Sequence, residues 1–248
     1  QFTSRFASVL FGSFSIFIMY LLGNYLFSSK RAGLISAFLF AICPFTFRSM
    51  LAEMDTFLVF FLLLSAYFLL RGLFEDKITF LYVSYLFLGL GILTKIYAVL
   101  FVFSHSLFIL YYLFVHKKEK FSRSHIRLFL SLALILLVFA SPTLIHNSLL
   151  YSEKGFVDLQ FTRVFGFGEE VSKPFYDYDV QYTLSFSVSR LFFSEQGNPP
   201  LILKTLRFFL FYNPLTFLFS LLGLFMLYKK QKPLFIFIIL SVSLPLFY

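Results

Sequence analysis

The sequence predicts an all-α fold, a polytopic bundle of transmembrane helices, and its composition and patterning support this. Hydrophobic residues make up 59% of the 248 residues and only 13% are charged, which is about half the charged share of a soluble domain. Mean hydropathy is +0.85. Apolar runs of roughly 18 or more residues recur along the whole chain. Because lipid offers the backbone no hydrogen-bond partners, such runs must be helices.

Seven or eight hydrophobic segments are predicted to cross the bilayer. They fall at 6–27, 32–50, 56–73, 78–94, 96–115, 127–146, 201–228 and 233–248. Within 201–228, Asn213-Pro214 predicts a bend or break, since proline removes a helical hydrogen bond. The chain opens on Gln1 and stops inside an apolar run, so we expect 1–248 to be one transmembrane domain that is truncated at both ends.

Four connections between these segments are rich in Lys and Arg, and we call them the basic connections. They are 28–31, 71–77, 116–127 and 228–232. They hold 12 of the 21 Lys and Arg residues but only 3 of the 12 Asp and Glu residues, and so carry the whole formal excess of +9. Cytoplasmic loops are enriched in Lys and Arg, so we expect these four to be cytoplasmic. Topology thus explains the basic balance, and no basic aromatic patch elsewhere suggests a nucleic-acid partner.

The opposite face carries a long segment, 147–200, which we expect to form an outer-face loop region. Loops of this length are usually functional or disordered, and its many Phe and Tyr residues argue against disorder. In FVDLQFTRVF (156–165), Val157, Phe161, Val164 and Phe165 share one helical face, which predicts a short helix lying in the membrane interface. Further on, QYTLSFSVS alternates polar and apolar residues as a strand does, but it lacks an evident partner.

The stretch RSMLAEMDTF places Arg48, Glu53 and Asp55 between two apolar runs on the outer side. Asp55 precedes an apolar helix, where aspartate is a favoured N-cap and its charge suits the helix dipole. The alternative is a carboxylate at a catalytic cavity, acting as a general base, a substrate hydrogen-bond acceptor or a metal ligand. Glu53 and Asp55 point nearly opposite ways in a helix, but a bent loop could bring both onto one divalent metal ion.

Basic residues on the same side are candidate phosphate contacts. Lys95, in GLGILTKIYAVL, lies between two helices, where it either snorkels to the interface or binds phosphate as a point charge. Arg163 and Arg190, in the outer-face loop region, are either solvated or bind phosphate through paired hydrogen bonds. Arg48 is a further candidate for the same role.

Two histidines are weaker candidates. His105, in FSHSLF, is the only ionisable residue deep in a predicted span, and such residues are functional candidates. Because Ser104 and Ser106 flank it, an interhelical hydrogen bond is an equal alternative. His146 ends a span and faces outward, where it is either interfacial or part of the site. No nucleophile elbow, HExxH helix, phosphate-binding loop or Cys/His cluster is present in the sequence.

The order of these features resembles the GT-C superfamily of membrane glycosyltransferases. The residues that carry the resemblance are RFASVLFGSFSIFIMYLLGNYLF, LAEMDTFLVFFLLLSAYFLLRG, YLFLGLGILTKIYAVL, SPTLIHNSLLY and FVDLQFTRVFG. The resemblance is closest to the branch of protein O-mannosyltransferases and lipid A aminoarabinose transferases. It covers most of the chain and is strongest over 1–165.

The resemblance implies an enzyme that takes a sugar from a polyprenyl-phosphate carrier at the outer membrane face and transfers it to a protein, lipid or glycan acceptor. It places the primary catalytic carboxylate in a first outer loop that would precede Gln1, so this stretch alone should be inactive. It matches Asp55 to the acid of the second outer loop, Lys95 to a Thr-Lys position and Arg163 to a basic residue after the interfacial helix. Related oligosaccharyltransferases carry a metal-binding Asp-x-Asp there, and the departure at Glu53 puts a metal in question.

Two other functions are open: a transporter or lipid flippase, and a membrane scaffold. A transporter is expected to place paired polar residues at mid-bilayer, whereas these charges, His105 apart, cluster at the ends of spans. A scaffold has no need of Glu53, Asp55 and Lys95 on one face. We therefore predict a glycosyltransferase that is embedded in membrane lipid, in the plasma membrane of a prokaryote.

Overall fold

A computed structural model of the chain describes residues 2–43, 54–158, 160–161, 165 and 214–246. All regular structure in these ranges is helical, which confirms the predicted all-α bundle. The helices are α1 Phe2–Phe27, α2 Lys30–Ala41, α3 Met54–Phe74, α4 Ile78–Thr94, α5 Ala98–Leu110, α6 Arg123–Lys154, α7 Pro214–Lys230 and α8 Lys232–Leu246. A π-helical stretch, Tyr111–His116, continues α5 towards the connection that follows.

Four of these helical stretches are long and apolar enough to cross a bilayer, counting only the described ranges. They are Arg5–Phe27, Asp55–Phe74, Ala98–His116 and Arg123–Lys154, and each overlaps a predicted span. Helix α4 has the predicted bounds, 78–94, but is shorter than these four. Helix α2 extends to Ala41, within the predicted span 32–50. The predicted bend at Asn213 and the predicted strand at 181–189 lie outside the described residues.

Helix α6 runs past the predicted span end at 146, as far as Lys154. It passes through Pro142 without ending and stops where Gly155 takes a left-handed conformation, with φ of 74°. Glycine adopts this conformation without steric cost and is the usual residue just after a helix. The first residues of the predicted outer-face loop region are therefore helical.

Short connections make neighbouring helices pack as antiparallel pairs, α1 on α2 and α3 on α4, and α4 also contacts α6. Two apolar clusters lie inside the bundle. The larger one surrounds Leu69, Leu70 and Phe108. The smaller one consists of Ile92, Ile96 and Ala98, and we call it the Ile92 cluster. The two clusters lie towards opposite ends of α3, α4 and α5, so the bundle has two distinct ends.

Hydrogen bonds between small polar side chains join neighbouring helices. Lipid tails are as apolar as leucine, so helices in a bilayer associate through close packing and such bonds rather than through hydrophobic burial. The hydroxyl pairs are Ser65 with Ser84 at 3.1 Å, Tyr85 with Ser106 at 2.9 Å, and Ser104 with Ser241 at 3.2 Å. They link α3 to α4, α4 to α5, and α5 to α8.

The four basic connections meet at one end of the bundle, which we call the basic end. A cavity of about 450 Å³ lies there, and Ser28, Phe74, His116 and Gln231, one from each connection, line it. The structure therefore places these connections together, as the argument from charge requires. That this end faces the cytoplasm stays a prediction.

Acidic residues at the basic end are paired with neighbouring cations. Arg71 donates hydrogen bonds of 2.6 and 3.1 Å to Glu75, and Lys77 donates a third of 3.1 Å. These bonds, with that from Arg71 the strongest influence, lower the pKa of the Glu75 carboxyl to about 2. The remaining pairs are Lys117 with Asp76 and His125 with Glu119. Glu75 therefore stays ionised throughout the physiological pH range.

Candidate functional site

Asp55 and Lys95, predicted separately as site residues, form an ion pair. The Lys95 Nζ lies 2.5 Å from the Asp55 Oδ1, and the two side chains are 21% and 44% exposed. The antiparallel packing of α3 and α4 explains why Asp55 and Lys95 are in contact. The 21 residues of α3 and the 17 of α4 rise through similar heights, at about 1.5 Å per residue, so the start of α3 lies near the end of α4. We call this the Lys95 end of the bundle.

Lys95 is held at a break between two helices. Its backbone is extended, with φ of −152° and ψ of 131°, while its N–H still donates to the Gly91 carbonyl. The Thr94 hydroxyl donates to the same carbonyl at 2.7 Å. A turn follows, closed by the Ala98 N–H donating to the Lys95 carbonyl at 3.1 Å, and α5 begins. Hydrogen bonds thus fix the Lys95 backbone, and the Asp55 carboxylate holds its ammonium group.

Asp55 lies in the first turn of α3, as its second residue. A carboxylate there is stabilised by the positive end of the helix dipole. The sequence offered a helix cap and a site residue as alternatives. In the structure its carboxylate contacts the ammonium group of Lys95, which lies at the break between α4 and α5.

The Ile92 cluster lies beneath the ion pair. Ile92 and Ile96 flank Lys95 in the chain and are 3% and 5% exposed. Helices α3, α5 and α6 pack against the cluster, and so does Phe161 from the segment that follows α6. The Lys95 end is therefore the place where Phe161 meets the bundle. Of the predicted interfacial helix, residues 160, 161 and 165 are helical and 156–158 are not.

Four predicted site residues, Arg48, Glu53, Arg163 and Arg190, lie outside the described residues. Among the described ones, no three His, Cys, Asp or Glu side chains lie close enough to hold a metal ion. Glu53, which was predicted to hold a divalent metal ion together with Asp55, is not among these described residues.

The two candidate histidines differ in environment. His146 is exposed on α6. His105 is 1% exposed on α5 and packs edge-on against the Phe237 ring, with centroids 5.7 Å apart. Within the described ranges its ring nitrogens have no hydrogen-bond partner, whereas Ser104 and Ser106 both bond to other helices. The interhelical bonds considered for His105 are thus made by the flanking serines.

The structure also shows a buried polar residue next to His146. Asn147 is 3% exposed, although it follows the exposed His146. Its amide oxygen accepts the Asp158 N–H at 2.8 Å. The signal in the sequence was weak, because a single Asn at the end of an apolar run is common in the membrane interface.

The fold and the ion pair define a polytopic membrane protein with a charged site at one end of its bundle. Residues 1–146 match the family described as dolichyl-phosphate-mannose-protein mannosyltransferase, and the chain belongs to that family. It is thus a membrane glycosyltransferase of the mannosyltransferase type, which sets aside the transporter and the scaffold. No curated protein and no solved structure matches the chain. The matched range includes Asp55, Lys95, His105 and His146 and ends before Asn147.

Proposed function

We propose that the protein moves a sugar from a polyprenyl-phosphate carrier to a hydroxyl group of a protein, lipid or glycan acceptor, and that the Asp55–Lys95 pair binds the phosphate end of the donor. The observation that carries this is the 2.5 Å ion pair at the end of the bundle opposite the basic connections. It lies within the part of the chain that matches the mannosyltransferase family.

The reaction explains why a cation is needed there. The acceptor oxygen forms a bond to the anomeric carbon of the sugar while the bond from that carbon to the phosphate oxygen breaks. The phosphate leaves with the bonding electron pair, so negative charge builds up on it in the transition state. A fixed ammonium group stabilises that charge most where water is partly excluded. Lys95, only 21% exposed, satisfies both conditions.

The ion pair gives Asp55 two roles in succession. Without donor, its carboxylate holds the Lys95 ammonium close to the end of α3. When a donor phosphate competes for the ammonium, the carboxylate is released to orient the acceptor or to accept its proton. Arg163 is proposed as a second phosphate contact, since Phe161 brings its segment against the Ile92 cluster.

The hydrocarbon part of the donor is proposed to stay in lipid along the outside of the bundle. Helix α6 presents an apolar face to the bilayer, with Leu130, Leu134 and Leu137 each more than 60% exposed. A carrier lying along the bundle can reach the Lys95 end with its phosphate without leaving the membrane. With the basic end in the cytoplasm, the reaction takes place at the outer face of a prokaryotic plasma membrane.

The proposal predicts which donor class the intact protein uses. Washed membranes that contain the protein receive labelled mannose as a polyprenyl-phosphate mannose or as a nucleotide sugar, with membranes lacking the protein as the control. We expect label to pass from the lipid-linked donor to the acceptor, with one polyprenyl phosphate released for each sugar transferred. Transfer from the nucleotide sugar in membranes free of the carrier lipid would contradict the proposal.

A further inference from the structure

A buried amide lies on an otherwise exposed part of α6. Asn147 is 3% exposed, whereas the residues on either side, His146, Ser148 and Leu149, are all exposed. Burying an amide costs free energy unless its polar atoms find partners. Asn147 finds two of them. Its Nδ2 donates to the Thr143 carbonyl one turn back, at 2.9 Å, and its Oδ1 accepts the Asp158 N–H at 2.8 Å.

The second hydrogen bond reaches across the end of the helix. After Lys154 the chain reverses at Gly155, whose φ is 74°. Phe156 and Val157 are then buried, each 7% exposed. The Asp158 N–H bonded to Asn147 comes next, so the amide fixes the chain at the point where it returns towards the bundle.

Asp158 also holds the residues that follow it in place. Its Oδ1 accepts the Gln160 N–H at 2.8 Å and the Phe161 N–H at 3.4 Å. Phe161 in turn packs against the Ile92 cluster, beneath the Lys95–Asp55 pair. A continuous set of contacts therefore runs from the Asn147 amide to the Ile92 cluster, which lies beneath the proposed phosphate site.

We propose that Asn147 is a positioning residue, which anchors residues 156–158 and, through Asp158, residues 160–161 at the Lys95 end, and acts on sugar transfer through these residues. The inference rests on the proposed function for its effect on transfer, but the anchoring itself does not. A misplacement of about 1 Å far from the reacting atoms can cost roughly a hundredfold in rate. We expect Asn147→Ala to reduce kcat/KM for the lipid-linked donor by roughly ten- to a hundredfold, with Ser148→Ala, at the exposed neighbouring position, as the control that leaves it unchanged.

Anchoring is measured separately by cysteine labelling of the intact protein in membranes. In a Cys43→Ser background, Val157→Cys introduces a thiol of similar size at a buried position, and Ser152→Cys introduces one at an exposed position nearby. With Asn147 present, we expect a water-soluble maleimide to label position 152 at least tenfold faster than position 157. With Asn147→Ala, we expect labelling at 157 to approach that at 152.

A second variant separates anchoring from general damage. Asn147→Asp keeps the oxygen that accepts the Asp158 N–H but loses the N–H donated to Thr143, so position 157 should stay largely protected. Unchanged protection of 157 in Asn147→Ala, or lost protection with wild-type transfer, would overturn the proposal. Absence of transfer from the lipid-linked donor even with Asn147 present contradicts the proposed function, and the labelling contrast then still decides the anchoring.

Discussion

Replacing Lys95 with alanine is expected to lower the rate of sugar transfer by about 100- to 1,000-fold, the usual cost of removing one preorganised group that stabilises transition-state charge. The substitution removes the ammonium group nearest to Asp55 and leaves the departing phosphate without it. Lys95→Arg keeps the charge but replaces a compact ammonium with a planar fork, so we expect intermediate activity. The measurement is the initial rate of transfer by the intact protein in proteoliposomes, per amount of folded protein.

The basic end provides a matched control for this prediction. Lys117 pairs with Asp76 and is 27% exposed, close to the 21% of Lys95, but it lies at the opposite end of the bundle. Lys117→Ala should therefore transfer sugar at nearly the wild-type rate. Equal losses in the two variants would show that ion pairs matter to this bundle only for stability.

Gly33→Leu is expected to prevent correct folding, because α1 and α2 pack through glycine. A Cβ at position 33 would lie 2.8 Å from the Tyr20 carbonyl oxygen and 3.1 Å from the Asn24 Cβ. The carbonyl belongs to the helix backbone and cannot rotate away. Overpacking of a core typically costs about 1–3 kcal/mol, and a leucine that must separate two helix backbones should exceed this. We expect little of this variant to elute as a single species in size-exclusion chromatography in detergent. The protein that does elute should have a lower midpoint of thermal unfolding than the wild type.

Gly223→Leu is the control for that substitution. A Cβ at position 223, in α7, meets no atom within 4 Å in the described part of the chain. Both changes replace a helical glycine by the same residue, so they gain the same helix propensity. A normal yield of Gly33→Leu, or an equal loss in both variants, would contradict the assigned packing of α1 on α2.

The helices were largely predictable because bilayer thickness and backbone hydrogen bonding leave few alternatives. The bounds of α4 agree with the predicted 78–94. The end of α6 differs from the predicted 146 because the helix continues past the end of the apolar run, as far as Lys154. Pro142 is tolerated within the helix and the Asn147 amide finds partners, so the helix continues. The better signal was Gly155, a residue suited to the left-handed conformation after a helix.

The site was predictable only in part. Charge asymmetry placed Asp55 and Lys95 on one face, but it gave no reason for them to touch. Their contact depends on the similar lengths of α3 and α4 and on the short turn between them, which together bring the two ends level. The role of Asn147 was not predictable, because it depends on a backbone N–H eleven residues further along the chain. Such contacts form only when a segment folds back onto the bundle.

The most direct test of the proposed site is a double-mutant cycle on Asp55 and Lys95, measured as kcat/KM for polyprenyl-phosphate mannose. If the pair acts as one unit on the donor phosphate, Asp55→Asn and Lys95→Ala each lower transfer, and the double variant is no worse than the weaker of the two single variants. Losses that multiply in the double variant would mean that the residues act independently. Wild-type turnover by either single variant would contradict the assignment of this ion pair to the site.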